Sequence, residues 1–258
     1  PIVATVHTTA RGEAKYNSSW LYKVGFWFED KTLGKADAII CVSKSIAEEM
    51  KDRSNIFVIP HSLPQFQNTE YGFQKNRKQN SKFTILYSGR LERRKRVLLL
   101  LQALPYLLQP VCLNLLGDGE QRGFLEYQQS FYLGGKHDIS FLGYVSNKSS
   151  EYWKYFEMAD IFVCPSLYEG DPQTILEAMS YGLPIVASDI PACREMLGDS
   201  ALFFEPDNLS DLVHKIDSFI VSSGLREIFG LKAFGRAKER PTAKEIANQI
   251  IGIYEKVC

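Results

Sequence analysis

Three short segments concentrate the residues able to do chemistry. The first, Ser88-Gly89-Arg90-Leu91-Glu92-Arg93-Arg94-Lys95-Arg96, follows the β-branched run Phe83 to Ser88 and sits where open α/β sheets bind ligands, at a strand's carboxyl end. Gly89 permits a tight turn, and Arg90 and Lys95 project two cations toward one crevice. Fixed cations of that kind suit a diphosphate, whose charge grows as it departs. Arg93, Arg94 and Arg96 read as a solvated basic turn. The second segment, Leu115-Leu116-Gly117-Asp118-Gly119-Glu120, has glycines flanking an acid at another strand end. It suits approach to a nucleotide ring or ribose, and equally an ordinary turn. The third, from Pro165 to Ser188, runs strand, loop, helix, then Gly182-Leu183-Pro184 before another strand. It places Glu169 in the loop and Glu177 in the helix, both facing a cleft. A helix start near Pro172, Gln173 and Thr174 offers free N–H groups and the positive end of the helix dipole to a phosphate.

These segments need a scaffold of buried strands. Apolar runs recur at 2 to 6, 36 to 42, 56 to 60, 83 to 88, 111 to 117, 160 to 165, 184 to 188 and 201 to 206. They are apolar throughout, not alternating, as in parallel strands covered on both faces. Helices are expected at Ser43 to Lys51 behind a serine cap, at Gly119 to Leu133, at about 173 to 181, and at Thr242 to Lys256 behind a T-A-K-E capping box. The fold class is α/β with right-handed crossovers. Residues 60 to 82 turn polar and basic, as a connection between units does. The expected division is a partial first domain over 1–62, a linker over 63–82, a complete doubly wound domain over 83–240, and a final helix over 241–258. The basic cluster Lys75, Arg77, Lys78 and Lys82 reads as a solvated linker face.

Thirty Lys and Arg balance 30 Asp and Glu among 258 residues, which excludes a nucleic-acid footprint or a polyacidic scaffold. The longest apolar runs fall far short of the roughly 20 residues needed to cross a bilayer. Cys41, Cys112, Cys164, Cys193 and Cys258 form an odd set, three of them in apolar runs, and read as small thiols in a reducing compartment, hence a cytoplasmic location. Sequons at Asn17, Asn147 and Asn208 read as chance occurrences. The aromatic segment Trp20, Tyr22, Phe26, Trp27 and Phe28 fits an amphipathic helix facing the core, or a surface for a lipid-linked acceptor at the cytoplasmic membrane face. The chain opens on Pro1 within an apolar run, the expectation of a longer parent protein.

The ordered set G-R-L-x3-K, L-x-G-D-G, F-L-G-Y-V (141 to 145) and A-D-I-F-V-x-P-S-x-Y-E-G-x6-E-A-M-x-x-G-x-P-I-V-A-S resembles glycosyltransferase family 4, the retaining group 1 transferases of GT-B fold. Upstream, 36 to 45 and 58 to 62 look like the end of that family's N-terminal domain, and Thr5 to Thr8 resembles its cleft histidine motif. The resemblance implies a complete C-terminal Rossmann-like domain and a partial N-terminal one.

It further implies that Arg90 and Lys95 hold the donor diphosphate, helped by Gly89 and the Pro172 to Thr174 helix start. Glu177 would bind ribose hydroxyls, Glu169 the donor sugar, Tyr144 and Val145 the nucleobase region, and His7 would face the sugar across the cleft. As a lone histidine at a strand's end, His7 is equally a structural residue. Gly117 and Asp118 join the donor-binding set. The usual E-G-F-G is here Glu169-Gly170-Asp171-Pro172, an acid beside the donor sugar and a proline suited to the first helical turn. The usual asparagine after the linking strand is replaced by Pro60-His61-Ser62.

The activity implied is hexosyl transfer in glycan biosynthesis, from a nucleotide-diphosphate sugar to an acceptor hydroxyl. Configuration would be retained, with no cofactor beyond the co-substrate and, for want of a D-x-D motif, no metal. The catalytic set would be Glu169, His7, Arg90 and Lys95. The acceptor is a glycan, a lipid-linked or a small molecule. An alternative from another class is a donor-binding fragment or silent subunit that pairs with a complementing N-terminal chain. A GT-B epimerase or phosphorylase is a third.

Overall fold

A computed structural model of the protein describes residues 1–15, 20–50, 52–63, 82–132 and 136–257. Most of the linker read over 63–82, including Lys75, Arg77 and Lys78, lies outside the described residues, as do Asn17, Cys258 and the side chains of Trp20 and Tyr22.

Two parallel sheets organise the chain. The first has the order β1 (Val3–Val6), β2 (Ala38–Cys41), β3 (Ile56–Val58). Its central strand is buried at all four positions, as an apolar strand covered on both faces must be. Helices α1 (Ala10–Ala14), α2 (Trp20–Leu33) and α3 (Lys44–Glu49) accompany it. Ser43 caps α3 by accepting the Ile46 N–H, as expected of a serine there.

The second sheet has six strands: β4 (Phe83–Ser88), β5 (Val111–Leu116), β6 (Asp138–Gly143), β7 (Ile161–Cys164), β8 (Ile185–Ser188) and β9 (Leu202–Phe204). Their order is β6-β5-β4-β7-β8-β9. Phe83, Ile85 and Tyr87 point to the layer holding α4 (Val97–Ala103), α5 (Arg122–Tyr132) and α9 (Leu209–Val221). Leu86 points to the layer of α6 (Ser150–Met158), α7 (Gln173–Ser180), α8 (Pro191–Leu197) and α10 (Ser223–Ala237). Alternate residues on opposite faces are what a pleated strand imposes.

The last helix, α11 (Ala243–Val257), packs Ile246, Ile250 and Ile253 against Ala38, Ile40 and Ile59 of the first sheet. Thr242 and Glu245 exchange the reciprocal capping-box bonds ahead of it. Two expectations need correction. The segment 138 to 143, read only for its motif, is a strand. It escaped detection because it is an edge strand whose exposed and half-buried positions alternate, unlike the continuous apolar runs. In α2, Phe26, Trp27 and Phe28 are exposed, not turned to the core. Among the described residues no helix is long and apolar enough to cross a membrane, and Cys41, Cys112, Cys164 and Cys193 are free thiols.

Candidate active site at the carboxyl edge of the larger sheet

The loops after β4 and β5 are strapped together. Leu91 N–H donates to the Asp118 carbonyl (2.9 Å) and Gln121 N–H to the Leu91 carbonyl (3.0 Å). Gly117 is obligatory here: its φ is 135°, and a Cβ would stand 2.0 Å from the Gly89 carbonyl oxygen. The Asp118 carboxylate is spent locally, on the Gly119 N–H (2.8 Å) and on Arg122 (3.3 Å).

A single 3₁₀ turn, Arg93–Lys95, then aims three cations in different directions. Lys95 Nζ donates to Glu169 Oε1 at 2.6 Å. Arg94 is not the solvated residue its sequence context suggested. Its side chain is 13% exposed, donating to the Tyr168 carbonyl (3.1 Å) and to Glu92 (3.2 Å), with Glu169 at 4.0 Å and Glu13 at 3.9 Å. Glu92 is a neighbour within the basic run, but the Tyr168 carbonyl, Glu169 and Glu13, which enclose the guanidinium, arrive from remote segments. Arg96, also expected in solvent, pairs with Asp207. Arg93 is exposed. Arg90, 68% exposed, pairs with Glu92 at 2.8 Å.

The loop carrying Glu169 is held on both sides. Burial pushes its carboxyl up, but the charge and hydrogen bond of Lys95, with the Ser166 hydroxyl and Arg94, outweigh that and hold it below the usual carboxylate range. Gly170 lies so close to the first sheet that a Cβ would meet the His7 carbonyl oxygen at 1.8 Å. This contact brings His7 to the loop. The His7 ring stacks on His61 (centroids 5.3 Å apart), and burial with the neighbouring imidazole lowers its pKa.

Asp171, expected as an acid beside the donor sugar, is committed to His61 and Arg240. It accepts from the His61 N–H (2.8 Å), lies 3.0 Å from His61 Nδ1 and pairs with Arg240. Burial raises its carboxyl, and these partners bring it below the usual range. Pro172 is the N-cap of α7, one position earlier than expected, and carries no N–H. The helix starts at Gln173, with no side chain capping its N-terminus.

Glu177 faces inward, on the side where Tyr152 and Ser88 meet. Tyr152 Oη donates to Glu177 Oε2 (2.6 Å) and lies 3.0 Å from Ser88 Oγ. Burial raises the Glu177 carboxyl, and hydrogen bonds from Tyr152 and Asn147 offset this only in part. Tyr144, three residues before Asn147, is exposed; Val145 is half-buried. Tyr168 carried no signal in the chain beyond its P-S-x-Y-E-G motif, and Tyr152 lay in no motif.

Tyr168 leaves the loop to enter the first sheet's core, beside Val6, Ile46 and Met50. Its hydroxyl accepts the Thr9 N–H (3.1 Å) and lies 3.3 Å from Glu49 Oε2, to which Thr9 Oγ1 also donates. Burial pushes its pKa up to about 12. Nearby, both Glu195 oxygens accept N–H groups of the other unit, Lys44 (2.7 Å) and Ser45 (3.0 Å). The site thus lies where the two sheets are bolted together.

Two parallel-sheet units facing each other across such loops define a GT-B glycosyltransferase fold. Solved structures agree: sucrose-phosphate synthase from Thermosynechococcus elongatus superposes with a TM-score of 0.82 at 20% identity, over 99% of this chain and 67% of that one. Anabaena HepE in complex with UDP-glucose also gives 0.82, at 19% identity, over 99% and 72%.

Residues 68–236 match the glycosyl transferases group 1 family and residues 1–63 match Glycosyltransferase Family 4, so the chain belongs to the group 1 glycosyl transferases. An uncharacterized glycosyltransferase of Methanocaldococcus jannaschii is 26% identical over 99% of this chain and 69% of its own length. An Escherichia coli UDP-Gal:alpha-D-GlcNAc-diphosphoundecaprenol alpha-1,3-galactosyltransferase is 30% identical over 85% of this chain and 58% of its own. The O-antigen chain mannosyltransferase B of Escherichia coli is 32% identical over 60% and 41%. The chain therefore spans about half the length of several of its curated relatives.

Proposed function

We infer that the chain carries the donor half of a retaining transferase, which moves a sugar from a nucleotide-diphosphate sugar to an acceptor hydroxyl. The observation that supports this most is the Lys95–Glu169 pair, a buried cation and carboxylate side by side at the strand ends. Lys95 spends one of its three N–H donors on Glu169 and keeps two for a leaving diphosphate. Exposed Arg90 and the uncapped N–H groups of Gln173 and Thr174 add to it. Together they supply the charge that a divalent cation supplies elsewhere. Glu169, kept ionised, accepts hydroxyl hydrogens of the donor sugar and orients it. Glu177 takes the ribose, and His7 faces the sugar from the first sheet. With the sugar so held, the departing phosphate oxygen takes the acceptor proton on the same face, which retains configuration. That the solved HepE relative is described with UDP and UDP-glucose supports a nucleotide-sugar donor.

Calorimetric titration with UDP, GDP and ADP tests this. One nucleotide is expected to bind, with affinity reduced tenfold or more in Arg90→Ala and Glu177→Ala. Unchanged affinity in Arg90→Ala, whose exposed side chain is replaceable without unfolding, would remove the diphosphate role.

A further inference from the structure

The donor reading leaves one face of α5 without a purpose. This helix buries Leu125 in the core and turns Phe124, Tyr127 and Phe131 outward, at 46%, 62% and 62% exposure. Spaced by three and four residues, the three rings stand on one side of the helix. Tyr127 and Phe131 touch edge to face, with centroids 5.0 Å apart. Single exposed apolar residues are ordinary, whereas an aligned aromatic row is a surface that binds something.

The row runs into a cavity of about 780 Å³, and Phe124 belongs to both. Arg93, Arg96, Leu98, Glu120, Gln121 and Leu167 line the rest. Arg93 and Arg96 flank Lys95 in the chain, and the Leu167 N–H donates to the Arg94 carbonyl (2.8 Å), two residues ahead of Glu169. The groove therefore borders the turn and the loop that carry the Lys95–Glu169 pair, while Lys95 and Glu169 do not themselves line it.

Its chemistry selects among occupants. Aromatic faces carry partial negative charge and stack on the C–H face of a pyranose ring. The cavity wall offers cationic donors, a carboxylate and an amide, the mixture that sugar hydroxyls use as both donors and acceptors. A helix that lies on an anionic membrane carries unpaired Lys or Arg beside its aromatic face. Here the only cation of α5, Arg122, is spent on Asp118 and Glu126, and the residues between the rings include Gln128, Gln129 and Ser130. The face of α5 is polar and aromatic, and its one cation is paired with acids.

We propose that the α5 row and its cavity form a platform for a neutral oligosaccharide acceptor, leading its terminal sugar toward the Lys95–Glu169 pair. The acceptor is then a chain of several sugars. The purpose of the platform rests on the donor reading above, but its binding does not.

The test is titration of the folded chain with maltohexaose, cellohexaose and α-1,6-mannohexaose and with the matching disaccharides. It is repeated on the double variant Tyr127→Ala, Phe131→Ala, whose side chains are exposed. At least one hexasaccharide is expected to bind tenfold or more tighter than its disaccharide. The double variant should lose tenfold or more of that affinity, with nucleotide binding and melting temperature unchanged. The proposal falls if no hexasaccharide binds, or if the double variant binds equally. It also falls if the same two residues instead govern sedimentation with phosphatidylglycerol vesicles, or self-association in light scattering. Glycan binding that survives a failed nucleotide titration would leave the platform standing and overturn the donor reading. Nucleotide binding without glycan binding would do the reverse.

Discussion

Glu169 and Glu177 lie eight residues apart on one loop and helix, and are 8% and 4% exposed. Nevertheless their surroundings drive their protons in opposite directions. Glu169 meets the Lys95 ammonium, with Arg94 beyond it, and is held ionised. Glu177 meets the neutral Tyr152 hydroxyl and the Asn147 side chain, and burial shifts it toward the protonated form. Similar burial ends in opposite shifts because Lys95 supplies Glu169 with a countercharge, whereas the hydrogen bonds to Glu177 offset only part of its desolvation. The fold thus places two buried carboxyls with opposite shifts eight residues apart in the chain.

The largest way to break the contrast is Lys95→Met, which leaves Glu169 buried without its cation. Loss of one partner of a buried pair costs about 3–5 kcal/mol, expected as a lowered urea midpoint at pH 7. A loss under about 1 kcal/mol would mean that solvent or Arg94 carries the charge instead. Tyr152→Phe strikes the other carboxyl by removing the hydroxyl between Ser88 and Glu177. About 1–3 kcal/mol should be lost, and NMR titration of the Glu177 carboxyl should find its pKa higher still. Tyr168→Phe leaves both carboxyls and unties the bolt to Thr9. The cost is about 1 kcal/mol, expected with faster amide exchange over residues 9 to 14 and little change in α7.

The finest discrimination comes from pH. Glu169, depressed in the folded state, contributes stability that is complete above the unfolded value of about 4.3 and is lost as pH falls through its folded value. Glu177, raised in the folded state, contributes stability that is complete below about 4.3 and is lost as pH rises through its folded value. Glu169→Gln should therefore flatten the acid limb of a stability profile. Glu177→Gln should gain on wild type as pH rises. Parallel profiles for the two variants would erase the distinction.

Much of this was legible in the chain. Phe83 to Ser88 is the strand expected, end to end, and the Ser43 and Thr242 caps form as their spacing predicts, because strand burial and helix capping are local. The order of motifs sufficed to recognise the GT-B fold and the group 1 transferases, both borne out. Asp138 to Gly143 was missed because an edge strand has no continuous apolar signature. Arg94 was misjudged and Tyr168 overlooked because, Glu92 apart, the groups that enclose them (the Tyr168 carbonyl and Glu13 for Arg94, Thr9 and Glu49 for Tyr168) lie more than seventy residues away in sequence.

By itself the sequence determined most of the elements, their parallel packing and the loops that bear the charged groups, since periodicity, capping and turn chemistry act over a few residues. Only the tertiary structure decided which cation meets which carboxylate, that Asp171 ties His61 to Arg240, and that the α5 aromatics stay uncovered. Those outcomes depend on distance and desolvation between segments remote in the chain, and no local pattern encodes either.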